Sequence, residues 1–421
     1  MQTSALRKTF SQTLFKTNHP RLGLLVLAIV LGALALMIAS SPVRLCSDEV
    51  FHLKATHLID QLGLKAGLNS PENPSSPGPL FSAIQLLAAP LTHLQPPAVR
   101  YINWFCLVVV ISITAFQLHR NQAASPLFAA GLLLAVPLLW TPAGLALTEL
   151  PALVAFALFL LLFQQGLEKP ETSLRYGLLL GSAAGVALGV AILGRQTYLV
   201  VLPCLALVAF LHRRHWVLIL SCIVTCLLAC GWLFWIWHGL IPPGQVNVDT
   251  GLRYDHAVMG ITYMGMAALF ISPRFLRPTS RMEAVLGFGM ACLLVVLVFV
   301  KTEPPARTLL ISIFGEAGSK WAGLVIRALM GWIGTQWLIA TVKTGWATRT
   351  VPWRLFLVLI LIVFACSPAK ISIQFSSRYV VGGLGALCLL CAQREQATIF
   401  SIARLLLGAS IGAAILRTYY H

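Results

Sequence analysis

Charged residues are scarce in this sequence, and acidic residues are the scarcest. Only 10% of its 421 residues are charged, with 13 Asp and Glu against 30 Lys and Arg. A soluble globular domain carries about 25% charged residues. This shortage excludes a water-soluble enzyme of the same length, because the chain has too little polar surface. Instead, 58% of the residues are hydrophobic and the mean hydropathy is +0.84.

A glycine-rich phosphate-binding loop is also missing, since neither the dinucleotide-binding nor the P-loop spacing occurs among the 32 glycines. No nucleotide cofactor is therefore expected. The net charge of +17 does not predict nucleic-acid binding, because Lys and Arg accumulate on the cytoplasmic side of membrane proteins. We expect no nucleic-acid partner, and membrane lipids as the surroundings of the chain.

Long apolar runs are abundant. The first, residues 22–41, contains no charge. At 1.5 Å per residue it is long enough to cross a hydrocarbon core about 30 Å thick. It follows a basic tail, residues 1–21, that has no acidic residue. We expect a retained first helix with this tail in the cytoplasm.

The whole chain, residues 1–421, is predicted to form a single all-α polytopic membrane domain with about thirteen spans. These lie near residues 22–41, 99–118, 125–142, 145–166, 176–194, 198–211, 216–238, 257–272, 282–300, 321–342, 355–367, 380–392 and 397–416. The segments assigned to the cytoplasm hold sixteen Lys/Arg and four acids. Those assigned outside hold eleven Lys/Arg and nine acids, when Glu149 near the outer end of the span 145–166 is counted with them. The net charge is +12 inside and +2 outside, which agrees with the positive-inside rule.

The longest segment between predicted spans is the first outer loop, residues 42–98. It opens with Asp48 and Glu49, and His52 lies one helical turn beyond Asp48. If this segment is helical, Asp48 and His52 share a face while Glu49 points about 100° away. Ionisable residues beside a membrane are typical of functional sites. The alternative interpretation is a helix end that becomes polar as it enters water.

Further polar residues fall at the predicted outer ends of spans. Arginines at this face are unexpected from the positive-inside rule, and a lipid-linked phosphate would explain them, because the guanidinium fork matches phosphate geometry. The alternative is contact with lipid headgroups or with other helices. The candidate substrate-binding residues in this set are Arg100, Asn103, Arg195, Gln196, Arg307, Arg378 and Tyr379.

Several short motifs, in order along residues 48–379, resemble one enzyme family. Asp48-Glu49-Val50-Phe51-His52 is similar to the "DEIFH" opening of the α-1,2-glucosyltransferases that add the terminal glucose to the dolichol-linked N-glycan precursor. These enzymes belong to the GT-C class of polyprenyl-phosphate-sugar-dependent glycosyltransferases. Pro77-Gly78-Pro79-Leu80, Arg100-x-x-Asn103, Arg195-Gln196-Thr197 and Arg378-Tyr379 resemble that family's later motifs. Tyr198 departs from it, since the family has Asn there.

This resemblance implies an inverting hexosyltransferase that uses a polyprenyl-phosphate-linked sugar and a lipid-linked glycan or other envelope acceptor. It implies that Asp48 or Glu49 is the catalytic base, that His52 contacts the base or the acceptor, and that Arg195 and Arg378 bind the leaving phosphate. The composition favours a bacterial relative in the inner membrane, with its site on the extracytoplasmic side. We expect no cofactor; Mg²⁺ or Mn²⁺ is possible but not favoured, because no second acidic motif accompanies the Asp-Glu pair.

Two other function classes remain open from the sequence. A lipid or sugar transporter or flippase would use the same outer charges as part of a translocation path. A non-catalytic component of an envelope-assembly complex would leave the Asp-Glu pair purely structural. The charges cluster at one face and no inverted repeat is evident, which favours the transferase over the transporter.

Overall fold

The structure of the protein is a computed structural model that describes residues 18–168, 174–245, 251–297, 307–371 and 375–421. Helices are the regular secondary structure found throughout these residues. In chain order the α-helices are α1 Pro20–Ala39, α2 Glu49–Leu62, α3 Leu64–Asn69, α4 Leu80–Thr92, α5 Ala98–Arg120, α6 Pro126–Gly131, α7 Trp140–Gly144, α8 Glu149–Glu168, α9 Leu174–Gly194, α10 Val201–Leu211, α11 Trp216–Trp237, α12 Tyr254–Ile271, α13 Arg281–Leu297, α14 Arg307–Ala347, α15 Pro352–Cys366, α16 Leu384–Cys391 and α17 Ile399–Tyr420.

Eight helices in the described ranges are long and apolar enough to cross a membrane, and a bent helix pair would make nine. The eight are Pro20–Ala39, Ala98–Arg120, Glu149–Glu168, Leu174–Gly194, Arg213–Trp237, Gly318–Ala347, Pro352–Lys370 and Ile399–Tyr420. The chain is thus an all-helical, multi-pass membrane protein, which confirms the predicted fold class. The count of thirteen spans is not confirmed.

The other predicted spans fall on shorter or broken helices. Residues 198–211 form part of a 3₁₀-helix followed by the 11-residue α10, and residues 380–392 combine a 3₁₀-helix with the 8-residue α16. Residues 126–144 form the pair bent by 79°. There Val136 is extended before Pro137, whose ring removes an amide donor and disfavours a helical residue in front of it. Hydropathy alone does not reveal such a break.

A stack of aromatic rings holds α8 against α15. Phe156 is the centre of this stack, with ring centroids 4.7 Å from Tyr198 and 5.5 Å from Phe364. Phe159 continues it to Phe356 at 5.9 Å. All these rings are fully buried. Large buried aromatic faces dominate packing energies, so this stack fixes the start of α8 relative to its neighbours.

Residues 42–98 form a layer of helices over one end of the bundle. The longer helix in the second half of this layer is α4, Leu80–Thr92. Its side chains Leu87 and Leu91 are more than four-fifths exposed. Exposed leucines beside a buried face are typical of a helix that lies in a membrane interface. The turn-rich stretch 71–79 connects α3 to α4.

Candidate active site

Four chain segments converge at one end of the bundle and bring charged side chains together. Asp48 immediately precedes α2, and Glu149 is the first residue of α8. Arg195 stands in extended conformation between α9 and the next 3₁₀-helix, and Arg378 lies in the 3₁₀-helix Ser377–Gly383. Gly194 permits this meeting, because a Cβ there would lie 2.7 Å from the Cβ of Ala152 on α8.

The four charged groups form a continuous chain of ion pairs. Nη2 of Arg378 donates to Oδ2 of Asp48 at 2.5 Å, and its Nη1 lies 3.8 Å from Oε1 of Glu149. Nη1 of Arg195 donates to the same Oε1 at 2.7 Å and to Oγ1 of Thr148 at 3.1 Å. The side chain of Asp48 is 38% exposed and that of Glu149 only 4%. Asp48 is therefore the carboxylate open to an incoming molecule.

Glu149 has one oxygen without a partner. Oε2 is buried and accepts no hydrogen bond from any described residue, although Oε1 is shared by two arginines. A buried acceptor that lacks a donor is costly and is typical of a site that a ligand completes. Glu149 was not among the predicted site residues. Its position after Thr148 and two residues before Pro151, near the predicted outer membrane face, was the available signal.

His52 and Tyr379 border this cluster. Nδ1 of His52 pairs with Oγ of Ser75 at 2.9 Å. Burial lowers the pKa of His52 to about 4; Glu149 and Asp48 oppose this shift, while the two arginines add to it. His52 is therefore neutral near pH 7. Burial also raises the pKa of Tyr379, whose hydroxyl stays protonated as a donor beside the four charges.

Arg378 keeps its charge. Burial opposes the guanidinium charge, but the carboxylates of Glu149 and Asp48 more than offset this and raise the pKa of Arg378. Its Nε also donates to Oγ of Ser376 at 3.1 Å, which fixes the plane of the guanidinium. Arg378 can therefore present donors to a phosphate at any physiological pH.

Glu49 has a different environment from its neighbour Asp48. It is fully buried and forms a bidentate pair with Arg100, at 2.9 Å from Nε and 2.7 Å from Nη2. The backbone amides of Cys46 and Ala146 donate to its two oxygens at 2.8 and 2.7 Å. The other N–H groups of Arg100 donate to Oγ of Ser41 and to backbone carbonyls. Both groups are thus saturated by internal hydrogen bonds.

Asn103 supports the same region from one turn further along α5. Its buried Nδ2 lies 2.7 to 2.9 Å from the carbonyl oxygens of Pro142, Leu145 and Leu147. These carbonyls belong to the connection that leads into Glu149. Asn103 and the Glu49–Arg100 pair therefore hold the backbone that positions Glu149, and neither lies within the chain of ion pairs.

Gln196 and the turn-rich stretch 71–79 form one wall beside Arg195. Nε2 of Gln196 donates to the carbonyl of Ser76 at 2.6 Å. Gly78 lies against the end of α9, where a Cβ would be 2.4 Å from the carbonyl oxygen of Leu193. Only glycine allows this approach of two backbones. The stretch is thereby fixed both to His52, through Ser75, and to the segment that carries Arg195.

Arg307 begins α14, and its side chain lies outside the described part of the chain. Within the described ranges, no group of three or more His, Cys, Asp or Glu residues is arranged to hold a metal ion. Independence from a divalent metal stays a prediction.

The fold and this site define an all-helical multi-pass membrane protein with a charged, partly open cluster at one end of its bundle. No protein-family model and no curated protein matches the sequence. Similar solved structures include ArnT from Cupriavidus metallidurans bound to undecaprenyl phosphate, at 15% identity over 88% of this chain and 76% of that one, with a TM-score of 0.45. Its apo state aligns at 14% identity over 87% and 76%, with a TM-score of 0.41. Similarity at these levels of sequence identity and TM-score does not assign a function to the chain.

Proposed function

We propose that the protein is an inverting GT-C-type glycosyltransferase. It moves a hexose from a polyprenyl-phosphate donor to a lipid-linked glycan or other envelope acceptor at the extracytoplasmic membrane face. One observation carries the proposal: Asp48, an exposed carboxylate, is paired with a buried arginine that shares Glu149 with a second arginine. This arrangement combines a candidate base with two phosphate ligands at one end of a membrane bundle.

Arg195 and Arg378 are suited to the donor phosphate. Each is mostly buried, at 17% and 15% side-chain exposure, and both reach the same oxygen of Glu149. A phosphate that enters beside them can take hydrogen bonds from both guanidinium groups, with Glu149 holding their orientation. As the bond to the sugar breaks, negative charge grows on this phosphate, and the two arginines stabilise it where it develops.

Asp48 is suited to the role of base. In the proposed step its carboxylate takes the proton of the acceptor hydroxyl, whose oxygen forms a bond to the anomeric carbon. The bond between that carbon and the phosphate oxygen breaks, and its electron pair leaves with the polyprenyl phosphate. A single displacement inverts the anomeric configuration and passes through an oxocarbenium-like transition state. We assign contact with the acceptor, or with the base, to neutral His52.

Glu49 is assigned a structural role. It was the second candidate for the base, but its complete burial and its four internal hydrogen bonds leave no lone pair facing solvent for an acceptor. The same reasoning assigns Arg100 and Asn103 to support of the site. Gln196 supports the wall formed by the stretch 71–79.

The test is turnover by the purified full chain in nanodiscs with a panel of polyprenyl-phosphate hexoses and membrane lipid extracts as acceptors. We expect sugar transfer with inverted anomeric configuration, unchanged after a chelator removes divalent metals. Movement of donor across sealed liposomes without any transfer would favour a transporter. Neither transfer nor movement, by folded protein, would favour a non-catalytic assembly component and contradict the proposal.

A further inference from the structure

Three adjoining cavities lie at the other end of the helix bundle. α12 starts beside the candidate site, since His256 packs on Phe375 and Phe375 on Tyr379. Its 18 residues span about 27 Å, and the cavities begin just after its last residue, Ile271. α17 also runs from the cavities to the opposite end of the bundle. Its residue Arg404 lines one cavity, and the ring of Tyr420 near its last residue lies 5.2 Å from the guanidinium of Arg100. The cavities are therefore separate from the site described above.

All three cavities share Arg274 as a lining residue. Their volumes are about 350, 260 and 490 Å³. Two of these lie in the range of about 300–1,000 Å³ that is typical of small-molecule sites. Six cationic side chains line the group against only two carboxylates. The cations are Arg274, Arg277, Lys343, Arg354, Arg394 and Arg404, and the carboxylates are Glu283 and Glu395.

Both carboxylates are already neutralised by neighbours. Glu395 is buried and accepts from Ser272 at 2.8 Å and from Arg404 at 2.7 Å. Glu283 pairs with Lys343. The other four arginines form no ion pair with any described residue. They leave an excess of positive charge around the cavities, which an anion would balance.

Arg404 adds a second observation that points to a ligand. Its side chain is mostly buried, and its Nε is a buried donor without an acceptor among the described residues. Arg404 lines the largest of the three cavities. A buried guanidinium donor with no partner is costly, and an oxygen of a bound anion would satisfy it.

The largest cavity is also amphipathic. Arg274, Arg277 and Arg404 lie on one part of its wall, and Phe400, Ala403 and Leu407 of α17 form the other part. Phe400 and Leu407 are 63% and 58% exposed on a helix that is long and apolar enough to cross a membrane. This combination fits a molecule with a phosphate at one end and acyl chains at the other.

We propose that these cavities bind the phosphate headgroup of an anionic phospholipid on the membrane face opposite the candidate active site. The arginines hold the phosphate, and the apolar part of α17 contacts the acyl chains. An alternative is that these cations only orient the chain in the membrane. That role would explain neither the cavities nor the unsatisfied donor of Arg404. The proposal is independent of the transferase activity.

The test is native mass spectrometry of the purified full chain titrated with dioleoylphosphatidylglycerol, dioleoylphosphatidylcholine and free glycerol 3-phosphate. We expect the anionic lipid to bind at least tenfold more tightly than the neutral one, and glycerol 3-phosphate not to compete. Arg274→Gln combined with Arg394→Gln should weaken binding of the anionic lipid at least tenfold. Both side chains are exposed, so the double variant should fold.

The matched control is Arg213→Gln combined with Arg349→Gln. These arginines are exposed, line none of the three cavities and lie at the same end of the bundle, where His212 contacts the carbonyl of Arg349. This variant loses the same charge and should bind lipid within twofold of the wild type. Equal weakening in both variants would overturn the proposal, because diffuse surface charge explains it. Equal binding of both lipids, or tight binding of glycerol 3-phosphate, would also overturn it.

Discussion

At the scale of single residues, the adjacent carboxylates Asp48 and Glu49 have opposite surroundings. Asp48 is 38% exposed and has a single arginine partner, whereas Glu49 is completely buried and saturated. Helical geometry predicts that the two side chains diverge by about 100°. It does not predict which one meets Arg100, because that contact joins residues 51 positions apart and depends on how α2 packs against α5.

The sequence motifs identified most of the cluster. Asp48, His52, Arg195 and Arg378 were predicted as site residues, and the structure brings them together. Glu149 was missed as a member, since a glutamate at a helix start is also the expected neighbour of a helix dipole. Its contacts with the cluster come from two arginines that lie in different parts of the chain, and the sequence does not predict these contacts.

The lowered pKa of His52 predicts how the stability of the protein depends on pH. Because burial lowers this pKa from 6.5 to about 4, the unfolded chain binds a proton between these pH values that the folded chain does not. Stability from neutral His52 is therefore complete above pH 6.5 and is lost as the pH falls towards 4. The difference in melting temperature between wild type and His52→Gln should shrink over this range. A constant difference would contradict the prediction.

Replacement of Arg195 should weaken binding of the donor. Arg195→Gln removes a charged donor from the proposed phosphate site, which is worth about 1.5–3 kcal/mol. We expect the Kd for a polyprenyl-phosphate hexose to rise by about 10- to 100-fold. The control is Arg44→Gln, an exposed arginine outside the chain of ion pairs. An unchanged Kd in Arg195→Gln would assign the donor phosphate elsewhere.

At the scale of elements, the buried pair between α2 and α5 should contribute strongly to stability. Glu49→Ala leaves the charge of Arg100 buried without a partner, which costs about 3–5 kcal/mol. The free energy of unfolding in detergent should fall by this amount, whereas exposed Glu72→Ala should change it by about 0.5 kcal/mol or less. Glu49→Ala protein of normal stability that has lost only turnover would instead make Glu49 catalytic.

The contact of the stretch 71–79 with α9 should be sensitive to one methyl group. Gly78→Ala places a Cβ 2.4 Å from the carbonyl oxygen of Leu193, so the stretch must move away from Arg195. We expect a loss of about 1–3 kcal/mol of stability and a higher KM for the donor. Gly239→Ala is the control, since a Cβ there meets no atom within 4 Å. Equal behaviour of the two variants would show that this contact does not matter.

Helix boundaries illustrate why the sequence prediction was incomplete at this scale. The long uninterrupted runs 22–41, 99–118 and 397–416 correspond closely to α1, α5 and α17. The run 125–142 is equally apolar but bends by 79° at Val136 and Pro137. Apolar composition records that a segment avoids water. Apolar composition does not show whether tertiary packing stabilises one straight helix or several short helices.

At the scale of the whole molecule, His421 and the candidate site lie at the same end of the bundle. Arg44, in the loop that leads to Asp48, donates to the backbone oxygen of His421. With the basic tail in the cytoplasm, this end is expected outside. An alkaline phosphatase fused after His421 should therefore be active, and one fused after Arg213 inactive. The reverse pattern would put the proposed site in the cytoplasm and contradict the account of the donor.

Asp48 is the proposed base of a sugar transfer from a polyprenyl phosphate. The most direct measurement compares wild type, Asp48→Asn and Asp60→Asn for turnover and for donor binding in nanodiscs. Asp60 is an exposed aspartate on α2, the helix that begins directly after Asp48, so its variant makes the same charge change away from the site. Loss of turnover by about 10²–10⁴-fold in Asp48→Asn alone, with the donor still bound, is the predicted result. Full turnover by Asp48→Asn would contradict the account.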